Sequence, residues 1–139
     1  MTVQYVTFTL GGSLYGVDVT RVQEALRSHV RTRVPLAPVG TAGLVNLRGQ
    51  VVLTIDLRTR LGLTGRADLA EPMMVVVQVD GEPVSLLVDE IGDVVEVGPG
   101  SFETPPDTLD ATLRPLILGA HKLEAGLLLV LDVDQAAAA

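Results

Sequence analysis

Apolar and polar residues alternate over short stretches in both halves of this 139-residue chain. Every second residue is apolar in residues 6–10 and again in residues 75–79. A period of two places successive side chains on opposite faces of a strand. Dipeptides that favour tight turns follow both runs, at Gly11-Gly12 and at Asp80-Gly81. The pattern therefore predicts an all-β protein built from hairpins.

Two stretches have features of a helix. Residues 20–28 begin with Thr20, a residue type that caps helices, and carry charged residues around Val22 and Leu26. Residues 106–113 allow a further short turn beside a loop. We therefore expect one or two short helices beside the strands.

The two halves of the chain repeat one pattern. At an offset of 69 residues Gly12 aligns with Gly81, and apolar positions around it align with apolar positions. Residues 46–57 align with residues 122–133 at an offset of 76, where Gly43 also meets Gly119. Extra residues in the proline-containing stretch 98–110 account for the difference between the offsets. The chain therefore reads as two copies of one β unit.

A unit of about 65 residues is near the lower limit for an independent core. Small antiparallel sheets commonly close into barrels, because closure removes exposed strand edges. We predict one domain over residues 1–139 that consists of two linked five-stranded barrels. The lobes would span about residues 1–69 and 70–139, and strand exchange between them is compatible with the repeat.

The absence of cysteine excludes disulfides and cysteine-ligated metal sites. The first residues lack a basic head followed by a long apolar run. The longest apolar stretch, residues 127–131, is far shorter than the roughly 20 residues that cross a bilayer. We expect a cytoplasmic protein with no direct membrane insertion.

The net charge of -7 is divided unevenly along the chain. Residues 1–70 carry eight arginines against four carboxylates, whereas residues 71–139 carry two basic residues against thirteen carboxylates. Regions of opposite sign suit a protein that offers different faces to different partners, because complementary charge steers encounter. Solubilisation of the two lobes is the alternative explanation.

No arrangement of catalytic residues is recognisable. The two histidines, His29 and His121, lie near no nucleophile motif, and we expect both at the surface. Two histidines without a thiol argue against zinc, and no phosphate-binding loop is present. Asp89 and Glu90 read as a solvated turn. We expect no enzyme activity, no metal and no cofactor.

Nucleic-acid binding is an alternative, because arginines crowd the first half and small barrels often bind single strands. Aromatic residues that would stack on bases make up 3% of the chain, and none lies in residues 21–66. Net acidity also opposes binding of a polyanion. We therefore expect no nucleic-acid partner.

A series of motifs occurs in a fixed order. The first half contains Tyr15-Gly16-Val17-Asp18-Val19, Val22-Gln23-Glu24, Thr32-Arg33-Val34-Pro35, Gly43-Leu44-Val45-Asn46-Leu47-Arg48-Gly49 and Ile55-Asp56-Leu57-Arg58. The second half adds Val88-Asp89, Asp93-Val94-Val95-Glu96-Val97, Pro105-Pro106 and Leu129-Val130-Leu131-Asp132. In order and spacing these motifs resemble the CheW family of chemotaxis coupling proteins, and the resemblance covers nearly the whole chain.

The resemblance implies two SH3-like barrels with a hydrophobic groove between them, in a protein that catalyses no reaction. Such an adaptor couples chemoreceptors to a CheA-type histidine kinase. One face would bind the kinase's regulatory domain, and another would bind the cytoplasmic tip of a methyl-accepting chemoreceptor. The adaptor would be recruited to receptor arrays at the inner membrane. The sensory pathway, flagellar, pilus-type or other, stays open.

The resemblance also assigns roles to individual residues of this chain. Glu24 and Arg48 would form an ion pair that braces the first lobe, and Gly43 would allow close approach near the receptor groove. A plain turn glycine is the alternative for Gly43. The positions implied for the receptor groove or the kinase interface are Val22, Glu24, Gly43, Val45, Asn46, Arg48, Gly49, Leu87 and Val88. Leu53 departs from the family, which commonly has proline there.

Overall fold

A computed structural model describes residues 2–27, 41–63, 73–105, 107, 109, 111–124 and 126–137. Within these ranges the chain forms eleven strands and two short α-helices. The strands are β1 (Val3–Leu10), β2 (Ser13–Asp18), β3 (Val22–Arg27), β4 (Thr41–Leu47), β5 (Gln50–Asp56), β6 (Met73–Val79), β7 (Glu82–Val88), β8 (Glu90–Val97), β9 (Phe102–Glu103), β10 (Ile117–Leu123) and β11 (Gly126–Leu131). The helices are α1 (Leu57–Arg60) and α2 (Val133–Ala137), and 3-10 turns cover Val19–Arg21, Pro99–Ser101 and Arg114–Leu116.

The strands form two sheets. One sheet has six strands in the order β8-β1-β2-β11-β10-β9, and the other has five in the order β3-β6-β7-β5-β4. The pairings of β2 with β11 and of β5 with β7 are parallel, and the other pairings are antiparallel. We call the two halves of the molecule the six-stranded lobe and the five-stranded lobe. The prediction of an all-β protein with short helices is confirmed.

Each sheet contains strands from both halves of the chain. The six-stranded lobe takes β1 and β2 from the first half, and the five-stranded lobe takes β6 and β7 from the second. The sequence repeat relates β1 to β6, β2 to β7, β3 to β8, β4 to β10 and β5 to β11. Strands related in this way occupy equivalent positions in the two sheets. The division into lobes near residue 69 stays a prediction.

Buried apolar residues form three clusters. The largest contains residues of both sheets and joins them, with Phe8 and Tyr15 stacked at a centroid distance of 5.9 Å. The second cluster draws on every strand of the five-stranded lobe, from Leu26 on β3 to Val45 on β4. The third belongs to the six-stranded lobe and is centred on Tyr5 and Leu128. Each lobe therefore curls around an interior of its own.

Both predicted hairpin turns are present. The turn from β1 to β2 has positive φ angles at Gly11 and Gly12, and the turn from β6 to β7 has them at Asp80 and Gly81. Positive φ at both central residues is typical of the tight turns whose twist matches that of paired strands. The sequence signal at these two positions therefore fixes where the strands reverse.

The helix predicted over residues 20–28 was wrong. Only Val19–Arg21 is a 3-10 turn, and β3 follows it directly. A register shift between Val22 and Glu24 breaks the alternation of β3 against β6. For that reason the apolar residues of this stretch do not follow a strict period of two, and their spacing resembles that of a helix. The turn predicted over residues 106–113 lies partly outside the described residues.

Candidate partner-binding surface

The turn between β4 and β5 holds a bulky residue in a conformation that favours glycine. Arg48 has a φ angle of 52° and Gly49 one of 84°. A non-glycine residue in the left-handed region is strained unless the surrounding structure holds it. The side-chain oxygen of Asn46 accepts a hydrogen bond of 2.9 Å from the Gly49 amide. The turn is thus fixed, and it presents the Arg48 side chain to solvent.

Arg48 is ion-paired with Glu24. Its Nη1 atom donates to Oε2 of the carboxylate, and its Nη2 atom donates to Oε1 at 3.0 Å. The hydrogen bond and the charge of Glu24 raise the pKa of Arg48 above its ordinary value. The guanidinium side chain is 76% exposed, whereas that of Glu24 is 18% exposed. This is the ion pair that the family resemblance implies. The Glu24 side chain is mostly buried, whereas the Arg48 side chain faces solvent.

The ion pair joins the two edges of the five-stranded sheet. Glu24 lies on β3 and Arg48 follows β4, and these strands are at opposite ends of the sheet order. The two edges meet only if the sheet curls, as the second buried cluster also requires. The pair therefore lies at the seam of a closed, barrel-like lobe.

The apolar members of the predicted site lie inside the protein. Val45 and Leu87 are buried in the interior of the five-stranded lobe, and Val88 is fully buried in the cluster that joins the sheets. Val22 packs partly buried against that same cluster. The structure thus brings Glu24, Asn46, Arg48 and Gly49 together at the surface and places Val45, Leu87 and Val88 in two different cores. Their roles as partner contacts stay predictions.

Gly43 lies in a strand rather than in a turn. It is buried in β4 with a φ angle of 124°, at a register shift between Thr41 and Gly43. Its repeat equivalent, Gly119, also follows a register shift, in β10. A Cβ atom at Gly119 would lie 2.6 Å from the carbonyl oxygen of Glu103. The glycine at this point of β10 therefore allows β9 to approach closely.

An exposed apolar patch on the five-stranded lobe escaped the sequence reasoning. Val51 is 63% exposed and Leu53 is 37% exposed, and both point outward from β5. Together with Leu44, Pro83 and Val84 they line a shallow cavity of about 360 Å³. We call these five residues the β5 patch. The one available signal in the sequence was the departure of Leu53 from the family resemblance.

The expectation that His121 lies at the surface was wrong. His121 is 2% exposed in β10, where the Tyr5 hydroxyl lies 3.3 Å from its Nε2 and the Ser101 hydroxyl 2.8 Å from its Nδ1. Burial lowers the pKa of His121, and a hydrogen bond with the backbone of Ser101 acts in the opposite direction. His29 lies outside the described residues. Among the residues that are described, no cluster of three or more His, Asp or Glu side chains could hold a metal ion.

Two arginines of the first half bind the C-terminal helix. Arg21 pairs with Asp134 at 2.6 Å and donates to the carbonyl of Gln78 at 2.8 Å. Arg60 donates to the carbonyls of Gln135 and Ala136, at 2.9 and 3.1 Å. Both arginines therefore hold α2 against the five-stranded lobe.

A third arginine joins the lobes at the crossover from β7 to β8. Arg58 Nε lies 3.3 Å from Oδ1 of Asp89, and Oδ2 of Asp89 accepts a hydrogen bond of 3.0 Å from the Gly11 amide. The side chains of Arg58 and Asp89 are largely buried. The interpretation of Asp89 as part of a solvated turn was therefore wrong. Much of the positive charge of the first half is therefore engaged in ion pairs and hydrogen bonds within the molecule.

None of the helices in the described part of the chain has the length and hydrophobicity of a transmembrane span.

Comparison with known proteins gives one consistent result. The family model described as a CheW-like domain matches residues 4–139. The chemotaxis protein CheW of Bacillus subtilis (strain 168) is 30% identical over 129 residues, which is 93% of this chain and 83% of that protein. CheW of Rhizobium meliloti (strain 1021) is 27% identical over 131 residues, 94% of this chain and 84% of the relative. The crystal structure of the scaffolding protein TtCheW from Thermoanaerobacter tengcongensis superposes with a TM-score of 0.88 at 28% identity, covering 98% of this chain and 92% of that one.

Proposed function

This chain belongs to the CheW family, and we propose that it couples chemoreceptors to a CheA-type histidine kinase in the cytoplasm. Its relatives are chemotaxis and scaffolding proteins and not enzymes, so the chain is an adaptor of chemotaxis signalling. These relatives do not support the nucleic-acid alternative. The proposal adds the two partners and assigns each of them a surface.

The observation that carries the proposal is the exposed Arg48, held in a fixed turn by Glu24 and Asn46. Strained backbone and a braced charged side chain are features that cluster at functional sites. The guanidinium keeps donors directed at solvent while Glu24 fixes its position, which suits recognition of a carboxylate or carbonyl on a receptor. We assign receptor binding to the surface formed by Glu24, Asn46, Arg48 and Gly49.

We assign kinase binding to the β5 patch. Apolar groups that share one exposed surface mark a site of protein association, and Val51 is the most exposed large apolar residue of the described chain. Gln50 and Glu82 border the same shallow cavity. An apolar centre with a polar border is the usual composition of a protein interface.

The kinase assignment is tested by calorimetric titration with the isolated regulatory domain of a CheA-type kinase from the same organism. We expect saturable one-to-one binding, and we expect Val51→Ser to weaken it by roughly tenfold, about 1.4 kcal/mol. Leu127→Ser is the matched control, because Leu127 is exposed at the repeat-equivalent position on the other lobe. An oligonucleotide serves as a control ligand and should give no heat. Absence of any binding to the regulatory domain would contradict the proposal.

The receptor assignment is tested by co-sedimentation with membranes that contain a chemoreceptor. We expect Arg48→Ala to reduce receptor binding while kinase binding is unchanged, because the β5 patch is intact. Lys122→Ala is the matched control, since Lys122 is an equally exposed cation, on the six-stranded lobe. Equal loss of receptor binding in both variants would show that net charge, and not the braced turn, is recognised.

A further inference from the structure

A cleft beside the six-stranded sheet is separate from both surfaces assigned above. It has a volume of about 460 Å³ and is bounded by β1, the turn at Val19–Arg21, strands β9 to β11 and helix α2. Volumes of roughly 300–1,000 Å³ are typical of sites that take a small ligand or a few side chains. The cleft contains none of the nine residues carried over from the family and none of the β5 patch.

The walls of the cleft are apolar and exposed. Phe102 is 47% exposed and Leu118 is 54% exposed, whereas Tyr5 and Val130 are buried below them. Phe102 is held on its inner side by an edge contact with His121, at a centroid distance of 5.2 Å. Two exposed apolar side chains that share a concave site gain from a partner that removes them from water.

The rim of the cleft is negatively charged. Asp134 is neutralised by Arg21, but Asp18 and Asp132 form no ion pair with any described residue. In each of these carboxylates Oδ1 caps a backbone amide, that of Thr20 at 2.9 Å and that of Gln135 at 3.1 Å. The Oδ2 atoms accept no hydrogen bond from the described residues. Arg21 lines the same cleft close to all three carboxylates, so the rim holds three negative charges against one guanidinium and stays negative overall.

We propose that this cleft binds a cationic segment of a protein partner, with a Lys or Arg side chain at Asp18 and Asp132 and an apolar side chain on Phe102 and Leu118. A cation is favoured because the three carboxylates of the rim outnumber the single guanidinium of Arg21, and a cation adds charge-assisted hydrogen bonds. A guanidinium beside Phe102 also gains from the face of the ring. An apolar neighbour in the same segment covers Leu118. The site is independent of receptor and kinase binding as assigned above.

The probe is the blocked peptide acetyl-Arg-Ala-Leu-Leu amide, titrated into the full-length ¹⁵N-labelled protein. Backbone amide shifts should change saturably at Phe102, Leu118 and Asp132. The same peptide with citrulline in place of arginine keeps the shape and removes the charge. We expect it to bind at least about fivefold more weakly, the ratio that corresponds to about 1 kcal/mol. Added salt should weaken only the arginine peptide, because the rim is open to solvent.

Variants separate the two halves of the site. Asp18→Asn removes a charge and keeps an acceptor for the Thr20 amide, since asparagine caps as well as aspartate. Leu118→Ser removes the apolar wall at an exposed position. We expect each to weaken the arginine peptide by roughly fivefold. Glu82→Gln and Leu127→Ser are the matched controls, because both residues are exposed and neither lines the cleft.

Four outcomes would overturn the proposal. The first is an absence of shifts at the cleft, and the second is equal binding of the arginine and citrulline peptides. The third is that free arginine binds as tightly as the peptide, which would make the cleft a site for a small cation. Shifts at the same amides that grow with protein concentration alone would identify a second copy of the chain as the occupant and would also overturn it. None of these outcomes bears on the calorimetric test of kinase binding.

Discussion

Five strands of the six-stranded lobe follow the same order as their equivalents in the five-stranded lobe, but the two lobes have different interiors. The interior of the five-stranded lobe is aliphatic around Val45 and Met74, and it encloses the hydroxyls of Thr54 and Ser85 without a hydrogen-bond partner among the described residues. The interior of the six-stranded lobe includes Tyr5, bonded to a histidine. One arrangement of strands therefore supports two kinds of core. The strand order determines where the interior side chains lie, but it does not determine whether they are polar or apolar.

The largest expected effect comes from removing a core side chain in either lobe. Met74→Ala and Leu128→Ala each delete a fully buried side chain, which costs about 2–5 kcal/mol of unfolding free energy. Because the largest cluster joins the sheets, both variants should unfold in one transition. Urea unfolding checks this with two probes: tyrosine fluorescence, since Tyr5 and Tyr15 both lie in the six-stranded lobe, and circular dichroism of the whole chain. Separate transitions would show that the lobes are independent units.

The next effect concerns the connection between the lobes. Asp89→Ala removes the carboxylate that contacts Arg58 and accepts from the Gly11 amide, which should cost about 1–3 kcal/mol. Asp89→Asn keeps an acceptor for Gly11 and should cost less. Urea denaturation measures both variants. A loss no larger than that of Glu82→Ala, at an exposed carboxylate, would mean that this crossover does not hold the lobes together.

Buried threonines should respond oppositely in the two lobes. Thr7 in the six-stranded lobe donates to the Asp93 carbonyl at 2.5 Å, whereas Thr54 in the five-stranded lobe has no such acceptor among the described residues. Valine has the same shape without the hydroxyl. Thr7→Val should therefore destabilise by about 1 kcal/mol, and Thr54→Val should be neutral or stabilising. Thermal unfolding of the two variants compares the signs directly. Equal destabilisation would show that Thr54 is bonded after all.

The smallest expected effect on stability at neutral pH is that of His121, and this effect grows as the pH falls. Its folded-state pKa is below the ordinary 6.5, so the unfolded chain takes up the proton first as the pH falls. The contribution of neutral His121 to the free energy of unfolding is complete above about pH 6.5. It is lost as the pH falls through the folded-state pKa. Tyr5 stays neutral, since burial and then Asp18 raise its pKa. We expect His121→Gln to be less sensitive to acid than the parent in urea denaturation. Identical pH profiles would exclude His121 as the titrating group, because His29 is common to both proteins.

Local patterns were enough to predict part of the fold. The turn dipeptides around Gly12 and Gly81 and the two-residue period located the hairpins, because these signals act between neighbours in sequence. The helix over residues 20–28 was wrong because a register shift between Val22 and Glu24 interrupts the period of β3. Burial of His121 depends on Tyr5, which lies 116 residues away in sequence. No local pattern contains that contact.

For a similar reason, only part of the candidate site could be predicted from the sequence. The ion pair of Glu24 with Arg48 follows from the family resemblance, and the structure contains it. The β5 patch did not follow, because an apolar strand residue such as Val51 usually belongs to a core. Which face of β5 points outward depends on how the sheet curls. That curvature is set by the seam at Arg48 and by packing from distant strands.

The exchange of strands between the halves has a consequence for biosynthesis. The hairpin of β1 and β2 is made before the other described strands, yet its sheet partners β8 and β11 both follow β7 in the chain. The five-stranded lobe, in contrast, has all its strands once residue 88 is made. Pairings this distant in sequence form slowly, and unpaired strand edges are prone to association. The hairpin of β1 and β2 in a nascent chain therefore keeps both of its strand edges unpaired until β8 and β11 have been made.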